Sequence, residues 1–171
     1  MPWYKVRKTG IRMLMHHTFE TKRGISIAVA EELLKSTNLL TKKLMDNVVN
    51  ELEANGSIRT GLLKKALSYK VETWKSNKRA TKSGLRMDFG MWAAVGVNRA
   101  VEGIDEKGRT IWPVKYAHLV EFGHSKGSNP RGDGAPAKPF MRKGIAKTGG
   151  PMAIKKFLEE SFSRGISKSG E

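Results

Sequence analysis

The sequence predicts an α+β domain in which a long N-terminal amphipathic helix packs on a small antiparallel sheet, followed by two or three shorter C-terminal helices. Three patterns predict this fold class. Apolar residues recur at three- and four-residue steps over 27–52, which is the period of one helix face. Apolar and polar residues alternate over much of 69–97, as they do in strands. Short apolar segments opened by Pro or closed by Gly follow between residues 113 and 162, as in short helices.

The long helix has clear predicted ends. Ser26 is the expected N-cap, since its hydroxyl can accept a hydrogen bond from a free amide of the first turn. Gly56 within Asn55-Gly56-Ser57 is expected to end it, because Gly adopts the left-handed C′ conformation at low cost. A helix between these ends would be roughly 40 Å long. We therefore expect it to pack against more than its own chain.

The middle of the chain changes from helical to strand periodicity. Thr60 is the expected cap of a short helix over 60–67. Gly96 is expected at a bulge or a close backbone approach. The predicted strands are 69–74, 85–89 and 92–97, with a basic, turn-rich hairpin loop between the first two.

The C-terminal part is predicted to hold three short helices around one long loop. Pro113 opens the first helix, which Gly123 ends, and Pro151 opens the last one, with fraying expected from Ser163 onward. The middle helix is expected to begin around Pro139. The predicted organisation is a basic N-terminal arm at 1–24, an α+β domain at 25–148 that contains a flexible loop at 124–137, and a C-terminal helix and tail at 149–171.

The composition restricts the classes of function. The chain has 171 residues, 39% of them hydrophobic, with no cysteine and a formal net charge of +16. The lack of cysteine excludes disulfides, thiolate metal sites and cysteine nucleophiles. The positive charge is concentrated at 1–24, 59–86 and 138–171, with net values of +5, +8 and +5. This excess predicts contact with a polyanion or with an acidic protein surface.

No catalytic or metal-binding constellation is evident. His16 and His17 are adjacent and would point in different directions on a helix or a strand, so no metal pair is expected. No P-loop, dinucleotide fingerprint or Ser–His–Asp set can be assembled. We therefore expect neither an enzyme nor a bound cofactor. No apolar run approaches the roughly 20 residues of a membrane span, and the first residues do not resemble a signal peptide, so an intracellular, membrane-free location is expected.

The basic hairpin is the strongest candidate for an electrostatic contact. Tyr69 and Trp74 are interleaved with its cations, and such a stripe could follow a phosphate backbone while the aromatic rings stack on bases. Alternatively, the aromatic rings belong to the core and the cations form a solvated rim or face an acidic partner. The candidate contact residues are Lys75, Lys78, Arg79, Lys82 and Arg86.

Two motifs in the C-terminal half carry a family resemblance. They are Tyr116-Ala117-His118-Leu119-Val120-Glu121-Phe122-Gly123 and, after a loop, Ala137-Lys138-Pro139-Phe140-Met141-Arg142. Upstream, a long helix precedes Thr60-Gly61-Leu62, and strands end in Val95-Gly96-Val97. This order resembles the neck, or tail-completion, proteins of long-tailed bacteriophages over about residues 27–147. The chain departs from the family pattern at His124 and at Lys143-Gly144.

The resemblance implies a virion structural protein at the junction between head and tail. Such proteins form small α+β subunits in a ring around the DNA channel, here expected to be six- or twelve-fold. The implied partners are other copies of this chain, head-closure or connector proteins, and tail-terminator or tail-tube proteins. Packaged DNA in the channel is a further implied contact, and no membrane is involved. The implied location is the virion, and the host cytoplasm during assembly. The alternative is a small basic nucleic-acid-binding protein that uses the hairpin at 64–86.

The residues of the two motifs also predict a structural clasp. Glu121 lies near the C-terminal end of a predicted helix, where its charge opposes the helix dipole, so a cationic partner is needed. Arg142 on the following segment is the expected partner, and a buried pair would chiefly fix geometry. The predicted clasp, whose apolar members hold the two ends of the loop together, consists of Tyr116, Ala117, Val120, Glu121, Phe122, Gly123, Pro139, Phe140, Met141 and Arg142.

Overall fold

The structure, a computed structural model, describes residues 17–56, 61–74, 78–81, 84–105, 107–125 and 134–169. Side chains are described within 26–56, 61–73, 90–105, 107–125 and 134–168. The elements, in chain order, are β1 (His17–Ser26), α1 (Ile27–Ala54), α2 (Leu62–Ala66), β2 (Leu67–Trp74), β3 (Lys78–Thr81), β4 (Gly84–Val97), β5 (Gly103–Ile104), β6 (Thr110–Ile111), α3 (Pro113–Phe122), α4 (Met141–Lys147) and α5 (Gly150–Ser169).

The main sheet is built around β4, with antiparallel neighbours on both sides. β1 pairs with 86–93 of β4 on one side, and a bulge interrupts this ladder between Thr21 and Ile25. On the other side, β2 pairs with 90–97 and β3 with 84–87. β5 and β6 form a separate small hairpin. Together with the helices, this arrangement confirms the predicted α+β class.

The core lies between α1 and one face of the sheet. Met91, Ala93 and Val95 alternate along β4 and are all buried, as expected for the inner face of a strand. α1 covers this face with the residues that its 3.6-residue period places in one stripe. The larger buried cluster takes members from all five helices and from β2 and β4: Leu44, Val48, Leu52, Leu63, Leu67, Val95, Ala117, Phe140, Met141 and Ile154.

α4 and α5 pack along α1 at very short range. A Cβ atom on Gly144 would lie 2.8 Å from the Cα of Val48, and one on Gly165 would lie 2.8 Å from the Cα of Val29. Both positions therefore require glycine for the helices to approach so closely. α5 returns antiparallel to α1, since Gly165 lies near the start of α1 while Ile154 belongs to the cluster around Val48. Two other helices of the same chain, α4 and α5, thus pack along α1.

Polar side chains separate the two ends of the α1 stripe. Ser36, Thr37 and Thr41 are buried between the larger cluster and a smaller one near the start of the helix. The Oγ1 of Thr41 donates to the carbonyl oxygen of Thr37 at 2.6 Å. Nearby, Arg164 of α5 donates to the hydroxyl oxygens of Ser161 and Ser36. The middle of the α1–α5 contact is therefore held by hydrogen bonds as well as by apolar packing.

The predicted helix ends agree with the structure in most places. Ser26 caps α1 and accepts a hydrogen bond from the amide of Val29 at 3.3 Å. Gly56 adopts φ +60° just after the helix. Pro113 opens α3, and Gly123 ends it. The proposed cap Thr60 lies outside the described residues, and Gly61 occupies the N-cap position of α2.

The strand boundaries differ from the prediction. The predicted strands 85–89 and 92–97 form one continuous strand, β4, in which the intervening Gly90 pairs with both Glu20 and Trp74. Gly96 pairs in regular register with Ser68, so it marks no bulge against β2. Residues 17–24 of the expected arm lie in β1, while 1–16 are outside the described part.

The last helix is longer than expected. α5 continues to Ser169 rather than fraying from Ser163. Two contacts with α1 explain this: Gly165 packs on Val29, and Lys168 forms an ion pair with Glu32. Tertiary contacts thus override the weak helix-forming character of this segment.

We predict that replacing Glu32 destabilises the protein at neutral pH but not at acid pH. Its carboxylate accepts hydrogen bonds from Lys168 at 2.8 Å and Arg164 at 3.2 Å. These bonds, Lys168 first, lower the pKa of Glu32 below its ordinary value of 4.5. A carboxyl group with a lowered pKa stabilises the fold at pH values above its unfolded pKa, and this contribution is lost as the pH falls through the folded pKa. Glu32→Gln should therefore lower Tm at neutral pH.

Thermal unfolding across a pH series checks this expectation. The Tm values of wild type and Glu32→Gln should converge as the pH is lowered below 4.5, the ordinary pKa of this carboxyl. Glu31→Gln is the control, since Glu31 is exposed and makes no ion pair within the described residues. A Tm difference for Glu32→Gln that stays the same from neutral to strongly acid pH would contradict the assignment.

Candidate functional site: the Glu121 clamp

The two sequence motifs meet at the end of α3 and the beginning of α4. Glu121 lies in the last turn of α3, and its side chain is only 2% exposed. Phe140, Met141 and Arg142 lie at the start of α4. We call these four residues, together with Gly123, the Glu121 clamp. The clamp brings together segments that are separated by the loop between residues 124 and 135.

The carboxylate of Glu121 caps α4. One oxygen, Oε2, accepts hydrogen bonds from the backbone amides of Phe140 at 2.8 Å and Met141 at 2.9 Å. The other oxygen, Oε1, accepts from the amide of Arg142 at 3.2 Å. Amides in the first turn of a helix have no partner within that helix. The N-cap residue of α4 is Phe140, whose side chain cannot accept a hydrogen bond, so Glu121 supplies the cap from another helix.

Arg142 closes the clamp from the solvent side. Its Nε donates to Oε1 of Glu121 at 3.0 Å, and its Nη2 donates to the backbone carbonyl oxygen of Glu121 at 3.2 Å. The ion pair expected from the sequence is therefore present. The two side chains of this pair are unequally buried, since Arg142 is 53% exposed and Glu121 is 2% exposed. Three of the four hydrogen bonds to the buried carboxylate come from backbone amides, which the sequence did not reveal.

The backbone closes the base of the loop. His124 and Ala135 form an antiparallel bridge, with both N–H···O distances at 2.9 Å. The amide of Lys138 donates to the carbonyl oxygen of Val120 at 2.8 Å, which satisfies one of the free carbonyls at the end of α3. The two ends of the predicted loop at 124–137 are thereby joined. Residues 126–133 lie outside the described part of the chain.

Gly123 is required at the turn between α3 and the loop. Its φ is +71°, in the region that favours glycine. A Cβ atom there would lie 2.6 Å from the amide nitrogen of Ala137 and 2.7 Å from the carbonyl oxygen of Ala135. Backbone, rather than a flexible side chain, occupies that space. Any larger residue would therefore push the two ends of the loop apart.

The apolar part of the predicted clasp is mostly buried, with one exception. Phe140, Met141 and Ala117 belong to the main core, and Tyr116 and Val120 pack against it. Phe122 was expected among these buried residues, but its side chain is 44% exposed. It follows buried Glu121 at the end of α3, and successive side chains of a helix point in directions about 100° apart. The guanidinium of Arg142 lies over the Phe122 ring, 5.0 Å from its centroid.

Two contacts with α1 anchor the clamp and had no clear sequence signal. The side-chain amide of Asn55, at the end of α1, donates to the carbonyl oxygen of Pro139 at 3.2 Å. Lys147 of α4 forms an ion pair with Glu51, which is only 5% exposed. The sequence marked Asn55 as part of a helix end but not as a tertiary contact.

The basic hairpin residues are placed only in part. Lys75 and Lys82 lie outside the described residues. Lys78 and Arg79 are in β3, and Arg86 is in β4, where the register makes Arg79 and Arg86 direct Cα partners. Tyr69 on β2 is 43% exposed.

The Glu121 carboxylate has a structural role in the clamp. Glu121 receives four hydrogen bonds on its two carboxylate oxygens, so these oxygens are already engaged. Nearby, the Nδ1 atoms of His118 and His124 are buried and have no hydrogen-bond partner within the described chain. Across the described side chains, no three His, Asp or Glu residues converge as metal ligands.

No family model, curated protein or solved structure matches this chain. Among the helices in the described ranges, none combines the length and apolar character needed to cross a membrane. The geometry of the clamp and the motifs within it therefore carry the functional argument.

We predict that losing Glu121 costs more stability than losing Arg142. Glu121→Gln keeps the size of the side chain but faces an NH₂ group toward buried backbone donors, so we expect a loss of about 3 kcal/mol in the free energy of unfolding. Arg142→Ala leaves the carboxylate bonded to three amides, so we expect about 1–2 kcal/mol. Chemical denaturation measures both values.

Glu159→Gln is the matched control for charge removal. Glu159 is exposed and lies 3.6 Å from Lys155, so its loss should cost less than about 1 kcal/mol. If Arg142→Ala proved as damaging as Glu121→Gln, the ion pair rather than the helix cap would be the main stabilising interaction.

Proposed function

We propose that this chain is a structural protein of a bacteriophage particle, located at the junction between head and tail, where copies form a ring that helps to join the tail to the DNA-filled head. The observation that carries the proposal is the Glu121 clamp. The two motifs that resemble the neck-protein family are separated by a loop, yet Glu121 of the first motif and Arg142 of the second bond directly to each other. A chance match of two short motifs would not require this contact.

The clamp supports a role in assembly because it fixes the base of a loop. The bridge between His124 and Ala135 and the cap on α4 hold both ends of the loop against the core. By sequence, the loop is rich in Gly and Pro and contains charges of both signs. Loops of this length in small domains commonly carry function. A loop on a rigid base is suited to reach a neighbouring subunit in a ring, where each interface joins two different surfaces.

The implied neighbours are further copies of this chain, head-closure or connector proteins, and tail-terminator or tail-tube proteins. Packaged DNA is a further contact for a chain with a net charge of +16. The location proposed is the virion, reached through the host cytoplasm during assembly.

The alternative proposal is a small nucleic-acid-binding protein that uses the basic hairpin at 64–86. One observation favours it: Arg79 and Arg86 occupy opposite positions on β3 and β4. Like charges at such positions are unfavourable unless an anion lies between them. This surface would contact phosphates, and its affinity for duplex DNA would fall steeply with salt.

Electron microscopy and light scattering of the purified full chain distinguish the two proposals. We predict closed annuli of uniform size at high protein concentration. Glu121→Gln should reduce their number because the loop base loses its support, provided that the variant remains folded by circular dichroism. Reversal of Lys78, Arg79 and Lys82 to Glu should leave annuli intact.

The opposite pattern would contradict the assembly proposal. A chain that stays monomeric or dimeric at every concentration, binds duplex DNA with a steep salt dependence and loses that binding on charge reversal would favour the alternative.

A further inference from the structure

An exposed aromatic–cation pair lies on the outer side of the clamp. Phe122 is 44% exposed, and the Arg142 side chain is 53% exposed. The guanidinium lies 5.0 Å from the centroid of the Phe122 ring. We call this pair the Phe122–Arg142 face. Neither side chain is needed there to fill the core, which Phe140 and Met141 already occupy.

Neighbouring contacts position both members of this face before any partner arrives. The backbone of Phe122 lies between buried Glu121 and Gly123, whose space is bounded by backbone. Arg142 is fixed because its Nε and Nη2 donate to Glu121. Its Nη1 makes no hydrogen bond within the described part of the chain. The end of the guanidinium can therefore still receive a carboxylate, with little loss of side-chain entropy on binding.

The two segments that carry the face, 113–125 and 134–148, expose cations. Lys115, Lys138 and Lys143 are exposed and form no ion pair within the ranges that the structure describes. Glu121 is the one acidic residue in 113–125 and 134–148, and it is buried. No surface carboxylate from these segments therefore competes for the cations. An acidic segment would complement these cations.

We propose that the Phe122–Arg142 face docks an acidic segment of a neighbouring protein, which offers a carboxylate to Arg142 and an apolar side chain to Phe122. Phe and Arg together are typical of the centres of protein interfaces. Duplex DNA would satisfy the cations but offers phosphates rather than an apolar partner for the ring. Another copy of this chain is the poorer source of such a segment, because its 32 Lys and Arg residues outnumber its 16 Asp and Glu residues. The inference rests on the proposed function only for the identity of the neighbour.

Binding of two synthetic peptides to the full chain tests this inference. Both peptides carry the same number of Glu residues, one with Leu and the other with Ser at the intervening positions. The wild type should bind the Glu/Leu peptide about tenfold more tightly than the Glu/Ser peptide, because one Leu side chain is buried on Phe122. Phe122→Ser should abolish this preference. Leu39→Ser is the matched control, since Leu39 is 64% exposed on α1, and it should keep the preference.

A second variant tests the guanidinium of Arg142 separately from the ring of Phe122. Arg142→Lys should weaken binding of both peptides severalfold while keeping the preference for Leu, because a lysine cannot form the bidentate contact. Circular dichroism confirms that each variant is folded. Equal binding of the two peptides by the wild type, or a preference that survives Phe122→Ser, would overturn the inference. So would duplex DNA that displaces the Glu/Leu peptide from the wild type and binds more weakly to Phe122→Ser.

The result of the peptide-binding experiment is independent of whether the chain forms annuli. Peptide preference without annuli would leave the docking face in place and remove the proposed function. Annuli without peptide preference would leave the proposed function and remove the docking face.

Discussion

The C-terminal half of this protein depends on one buried carboxylate. Glu121 is 2% exposed and accepts hydrogen bonds from three consecutive backbone amides and from the guanidinium of Arg142. A charge in such a place is tolerable only when its hydrogen bonds are complete. In return, it satisfies the free amides of α4 and fixes α4 to the end of α3. Phe140 and Met141 are thereby directed into the core, and the base of the loop is closed beside them.

α1 connects the Glu121 clamp to the rest of the domain. It lies on the inner face of β4, and α4 and α5 approach it so closely that Gly144 and Gly165 have no room for a side chain. Asn55 at its end bonds to Pro139 beside the clamp. The clamp is therefore attached to the most extensive packing in the molecule. A rigid loop base of this kind, with a charged and partly apolar outer face, is suited to protein–protein assembly.

The parts of the fold that the sequence predicted are those with a periodic or capped pattern, such as α1 from Ser26 and α3 from Pro113 to Gly123. β1 was missed because His17–Ser26 has no sustained alternation, and its pairing with β4 is decided by tertiary contact. The sequence predicted two strands, 85–89 and 92–97, where the structure has the single strand β4. At the site, the charges of Glu121 and Arg142 predicted their pairing. The cap on α4 was not predictable, since every residue except proline carries a backbone amide and only the fold selects which ones lie near the carboxylate.

Native-state hydrogen exchange of the amides of Phe140, Met141 and Arg142 tests the central claim most directly. If these amides donate to the Glu121 carboxylate, they should exchange as slowly as amides in the buried middle of α1, although first-turn amides of a helix normally exchange fast. In Glu121→Gln, protection at these three positions should fall more than in α1. Fast exchange of the three amides in the wild-type protein would contradict the account.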